Sequence, residues 1–181
     1  MAVKTMEDLF YETLKDVYFA ERQIYKTLPK IAKAAQSDEL KTALMAHREE
    51  TQGQIERLEA IFEIIGKPAR AKACEAIKGI LEEGDEVIED FEGSEALNDG
   101  IIAACQAVEH YEIARYGALK SWAERLGYND VVGLLEQTLA EEKKADVLLS
   151  TIADGVAKSM QGSSSKDTAA DPKIKSGRKA A

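Results

Sequence analysis

Residues 101–123 read IIAACQAVEHYEIARYGALKSWA, and the spacing within them decides the fold. Ile101, Ile102, Cys105, Glu109, Glu112, Tyr116, Leu119 and Ala123 recur three or four residues apart, the repeat of one face of an α-helix. Two glutamates stand in the middle of that otherwise apolar stripe. Carboxylates seldom enter a core unless they are paired or bind a metal. A helix that turns Glu109 and Glu112 inward therefore asks what faces them.

Three further stretches answer in kind. A first helix, from about Met6 to Ala35, carries Leu14, Val17, Tyr18, Glu21, Ile24, Leu28 and Ile31 on one stripe. Ser37 is a good N-cap, with Asp38 and Glu39 in the first turn where the helix dipole favours negative charge. The second helix then runs through Leu40, Leu44, His47, Glu50, Gln54, Leu58, Ile61 and Ile65, ending at Gly66 with Pro68 just beyond. The helix of the opening stretch begins near Ser94 and ends at Gly127. Asn129 caps the last one, whose stripe is Val131, Leu135, Thr138, Glu142, Asp146, Leu149 and Ile152.

Each bundle helix thus places an acidic or histidine side chain, or a pair, on its inward face. The candidates are Glu21, His47, Glu50, Glu109, Glu112, Glu142 and Asp146. Side chains three or four apart share a face, so His47 with Glu50, Glu109 with Glu112, and Glu142 with Asp146 can each aim at one point. A di-metal carboxylate bundle needs about that complement. Oxygen ligands with an imidazole suit iron or manganese better than zinc, so two ions of either metal are the expected cofactor. The rival reading is that some of these are ordinary solvated glutamates among the 33 acidic residues. Glu141 and Glu142 compete for one role: the Leu135–Leu149 stripe favours Glu142, and an internal echo favours Glu141. In that echo, a shift of 91 residues carries Glu21 onto Glu112, Glu50 onto Glu141 and Tyr25 onto Tyr116.

Residues 67–94 differ from the rest, with Cys74, Ile77, Ile80 and Leu81 followed by an acidic stretch from Glu82 to Glu92. One or two short helices forming a long crossover fit that pattern. A bundle with one long crossover between its second and third helices is the ferritin-like topology, and the expected fold class is all-α. Residues 1–155 form the bundle in this reading. Residues 156–181, rich in Gly, Ser, Asp and Lys with few apolar side chains, form a disordered polar tail.

Composition agrees. Of 181 residues, 45% are hydrophobic and only 3 are proline, which suits one helical domain. A formal net charge of −9 argues against a nucleic-acid partner, because phosphate binding needs a basic face. Residues 1–20 lack a signal-peptide pattern and no apolar run approaches a membrane span, so a cytoplasmic location is expected. Cys74 and Cys105 lack metal or disulfide spacing and read as packing residues. His110 points about 100° away from Glu109 and reads as a supporting or interface residue. Tyr18, Tyr25 and Tyr116 could be redox-active or hydrogen-bond carboxylates, but core packing is the preferred reading; Trp122 reads as a packing or interface residue.

Several runs are familiar. Met6-Glu7-Asp8-Leu9-Phe10, Ala20-Glu21-Arg22-Gln23 and Leu28-Pro29-Lys30 resemble the opening of the YciF/YciE-type ferritin-like proteins, a domain family of unknown function. So do residues 47–57, HREETQGQIER, residues 108–114, VEHYEIA, then Leu126-Gly127-Tyr128 and Glu141-Glu142-Lys143 through Asp146. The likeness covers residues 3–155. It implies a bacterial stress-response protein with a rubrerythrin-like four-helix bundle, a homodimer acting on peroxide or oxygen or handling iron. A peroxidase, catalase or ferroxidase activity would follow; the alternative is a non-catalytic helical dimer that serves as a scaffold. In rubrerythrin-type sites one helix gives a Glu and another Glu-x-x-Glu, matched here by Glu21 and Glu109/Glu112. Their Glu-x-x-His is reversed here as His47-x-x-Glu50, and Asp146 stands where a His is expected. The exchange makes a harder, more anionic donor set, tilted towards manganese.

Overall fold

The structure, a computed structural model, describes residues 3–167, with side chains described over residues 3–155. Five helices follow in order: α1 (Met6–Ala34), α2 (Asp38–Ile64), α3 (Glu75–Asp90), α4 (Leu97–Leu126) and α5 (Asn129–Asp167). The fold is an all-α, ferritin-like four-helix bundle of α1, α2, α4 and α5, with α3 on the crossover. Each boundary has a local cause. The Thr5 side chain accepts from Asp8 N while the Asp8 carboxylate accepts from Thr5 N, a reciprocal cap on α1. The Ser37 hydroxyl accepts from Leu40 N at the start of α2. Gly127, at φ 76°, takes the left-handed turn that ends α4.

Short connections make α1 and α2, and α4 and α5, antiparallel neighbours; α1 also packs on α4, and α2 on α5. The crossover can be followed along α1. The Tyr11 hydroxyl donates to Pro68 O (3.3 Å), Lys72 N donates to Lys15 O (3.2 Å), and Lys30 Nζ pairs with Asp85 (2.7 Å). At the far end, Gln36 Nε2 donates to Ser94 O (3.1 Å) and Gln36 N to Asn98 Oδ1 (2.8 Å). The chain therefore traverses the whole bundle between α2 and α4. This sets α4 antiparallel to α1 and brings the two halves' inward faces together.

The core divides into two apolar clusters. One gathers Ala20, Ile24, Leu28, Leu44, Ile101, Cys105, Val108 and Leu149, with Ile77 reaching in from α3. The other gathers Phe10, Leu14, Val17, Leu58, Phe62, Tyr116, Leu119 and Leu135. Ile77 is the buried residue of α3, so that helix is a covering element docked on α1 and α4. It docks where Gly100 leaves room: a Cβ there would stand 2.6 Å from Val87 Cγ1. Valine is stiff at χ1 and cannot simply turn aside. Gly100→Ala is expected to destabilise the protein by about 1–2 kcal/mol, seen as a lower midpoint in urea unfolding.

The crossover holds one helix of 16 residues, within the one or two expected. The α5 backbone continues to Asp167, past the Gly155 where the apolar repeat stops, because Ala157, Lys158, Met160 and Gln161 are good helix formers. The rest of the tail, 168–181, lies outside the described residues. Among the described residues no helix is long and apolar enough to cross a membrane.

Candidate metal centre

Between the two apolar clusters lies a polar layer. Each of the four bundle helices contributes to it, because its stripe carries a polar side chain at mid-length where the neighbours carry Leu or Ile. Glu21 (α1) and Glu142 (α5) have no exposed surface, while Glu112 and Glu109 (α4) are 1% and 2% exposed and His47 (α2) 8%. His47, Glu109, Glu112 and Glu142 each offer one donor atom, and these atoms lie within 4.8 Å of one another. Glu21 adjoins them at Glu112, and one of its oxygens accepts a hydrogen bond from the Tyr116 hydroxyl.

The other candidates stand further out. Glu50 is on the rim, its side chain 41% exposed, with an oxygen 3.8 Å from His47 Nδ1. Asp146 is turned away towards α4, where its carboxylate accepts from Gln106 Nε2 (2.9 Å) and lies 3.3 Å from His110 Nε2. The structure thus draws five of the seven residues into one buried layer and leaves two at its edge. It also resolves the contest at the start of that turn. Glu141 is held outward by the Arg57 guanidinium and by Gln137, whereas Glu142 points in.

Two supporting groups lie outside the seven candidate ligands. Gln54 donates to Glu142 from α2, and Tyr116, read as packing, fixes one oxygen of Glu21. Gln54 carried a signal: it is a polar side chain on an inward stripe, two turns beyond His47. For Tyr116 the carboxylate bond was the less favoured of two readings, because a phenol on an apolar stripe reads the same with or without a partner. His110 supports from outside through Asp146, as its direction on the helix suggested.

Chemically the layer is over-supplied with donors. Oε2 of Glu21, Glu109 and Glu142, both carboxylate oxygens of Glu112 and both ring nitrogens of His47 are buried without a hydrogen bond, although His47 Nε2 lies 3.3 Å from Glu109 Oε1. Native cores leave few such atoms, because each costs its full desolvation. Burial, and next the neighbouring Glu142, push the Glu21 carboxyl up to about 8. Burial pushes Glu109 to about 7; burial, then Glu21 and Glu142, drive Glu112 well above the usual carboxylate range, and burial, then Glu109, does the same for Glu142. Burial works against the charged form of His47, but its Glu50 partner and the charges of Glu142 and Glu21 raise it net. Without a cation these groups must share protons, since like charges this close cannot all ionise. Hard oxygen donors with one imidazole, several of their atoms free of hydrogen-bond partners, fit a hard divalent cation.

Fold and layer together define a ferritin-like bundle with a carboxylate and histidine cluster at mid-height. The chain belongs to the family described as "Domain of unknown function (DUF892)", which matches residues 5–161. It is 46% identical over 155 residues to Protein YciF of Escherichia coli K12, covering 84% of this chain and 93% of that one. The crystal structure of the E. coli stress protein YciF superposes with a TM-score of 0.83 at 43% identity, over 86% of this chain and 99% of that chain. YcfI of Rhodopseudomonas palustris, proposed as a structural protein, matches with a TM-score of 0.80 at 46% identity, over 82% and 95%. A protein from Xanthomonas campestris shares the fold at 20% identity, with a TM-score of 0.69 over 89% and 99%.

Proposed function

We propose that this chain is a stress-response protein that holds two iron or manganese ions in the polar layer and works on oxygen, peroxide or ferrous iron. The observation that carries this reading is the set of buried, unpartnered oxygens and nitrogens on Glu21, His47, Glu109, Glu112 and Glu142. The stress context is that of E. coli YciF.

Glu112 is the best bridging residue, since both its oxygens are free of other partners. His47, Glu109, Glu142 and Glu21 would complete the donor set, with Glu50 beside His47 at the rim. Asp146 acts from outside, through Gln106 and His110. Bound there, the ions would supply redox chemistry and a Lewis-acidic seat for an oxygen species. The chain's own groups do the rest. The carboxylates release their shared protons as they take up positive charge, so binding tightens with pH. Tyr116 and Gln54 each hold one oxygen of a ligand and so fix its orientation. The apolar clusters flank the layer above and below.

A metal-free helical scaffold is the second reading, favoured by the structural role proposed for R. palustris YcfI. Thermal unfolding with and without added metal separates the two. Anaerobic ferrous iron or manganese at ~100 times its dissociation constant should stabilise the fold by about 3 kcal/mol. For a chain of this size that raises the midpoint by roughly 5–10 °C. A midpoint indifferent to both metals supports the scaffold.

A further inference from the structure

A second feature adjoins the polar layer. Where α2 and α5 face each other, three of the facing residues are small: Ala43 and Ala46 on α2, and Ala145 on α5. They leave a cavity of about 190 Å³. Its walls are apolar and drawn from every helix, with Leu28 from α1, Leu44 from α2, Leu81 from α3, Val108 from α4 and Leu149 from α5. Its buried end includes His47 and Glu109, two of the proposed ligands. Its exposed members are Ala46, Lys144 and Leu148, which place the mouth between α2 and α5.

Natural cores are close-packed, and a space of this size beside a chemically loaded layer is out of keeping with the tight clusters around it. It is far larger than oxygen or peroxide requires. It also offers peroxide little, because hydrogen-bonding groups are sparse along its walls. An engineered apolar cavity of ~150 Å³ accepts benzene. We infer that this cavity is a binding site for a small apolar organic molecule, of the size of one aromatic ring or a short alkyl chain, with one end against His47 and Glu109. Its role as a substrate pocket rests on the metal-centre reading; the binding itself does not.

Toluene is a suitable probe, followed by methyl NMR on metal-free protein. The expected result is saturable binding that shifts the methyl resonances of Leu28, Leu44, Val108 and Leu149. Ala43→Leu and Ala145→Leu, at half-buried positions outside the ligand set, should each fill the space and weaken toluene binding at least ~10-fold. Both variants should retain the wild-type metal content. In manganese-loaded protein the toluene protons should broaden through proximity to the ion. No saturable binding, shifts confined to other residues, or wild-type affinity in both filled variants would overturn the inference. Toluene binding in a protein that takes up neither ferrous iron nor manganese would uphold the cavity and sink the metal-centre reading alone.

Discussion

Glu112→Gln is expected to abolish stoichiometric metal binding and, in the same protein, to raise the stability of the metal-free fold. Both effects have one origin. Glu112 is buried on every side, neither of its oxygens has a hydrogen-bond partner, and Glu21, Glu142 and Glu109 crowd it. Loss of a supporting residue around a metal site costs ~10–100-fold in affinity, and loss of a bridging carboxylate should exceed that. Without metal the same carboxyl is a burden. Held well above its ordinary range, it makes folding take up a proton that the unfolded chain does not bind at neutral pH. Glutamine has nearly the same shape and no charge to suppress, so the metal-free variant should be more stable than the wild type at pH 8. Scanning calorimetry on chelator-treated protein reads this directly. A destabilised metal-free variant would mean that Glu112 serves as a structural partner.

The second large effect is the pH dependence of stability. In metal-free protein Glu21 titrates at about 8 and Glu109 at about 7, both above the ordinary 4.5 because of burial and then neighbouring carboxylates. A raised carboxyl means that the folded state binds more protons than the unfolded one. Its stabilisation is fully present below pH 4.5 and is lost as pH rises through 7 to 8. His47, raised above its ordinary 6.5, acts in the same direction. Glu50 is lowered by the His47 imidazole 3.8 Å away, so its contribution is present above 4.5 and lost as pH falls further. Metal-free protein should therefore be more stable at pH 5 than at pH 8 by on the order of 3–5 kcal/mol. Manganese-loaded protein should show the slope removed or reversed, because the ion binds the deprotonated ligands. Urea titrations at three pH values test it. A metal-free protein that is more stable at pH 8 would refute the proton-sharing cluster.

Much of this was legible in the chain because helices write their faces and ends locally. Ser37, Gly66 and Gly127 mark boundaries that the backbone keeps, and the three-residue spacing of Glu109 and Glu112 places both on one inward face. What lies opposite a face is not local. Glu141 and Glu142 differ by one position, and the choice is made by Arg57, reaching from another helix. Asp146 follows Glu142 by one turn, a rise of ~6 Å along the axis, and at that height meets Gln106 and His110 instead of the cluster. Glu50 shares a face with His47 but sits where that face meets solvent. The roles of Gln54 and Tyr116 depend on partners 88 and 95 residues away, which no local repeat announces.

The central claim is that the polar layer is a two-metal site, and metal content by mass spectrometry tests it most directly. The protein would be loaded anaerobically with ferrous iron or manganese, freed of loosely bound ions, and measured beside Glu112→Gln. The expected result is about two ions per chain in the wild type and none in the variant. No stoichiometric metal in the wild type with either ion would contradict the account and leave a helical bundle whose buried carboxylates serve another end.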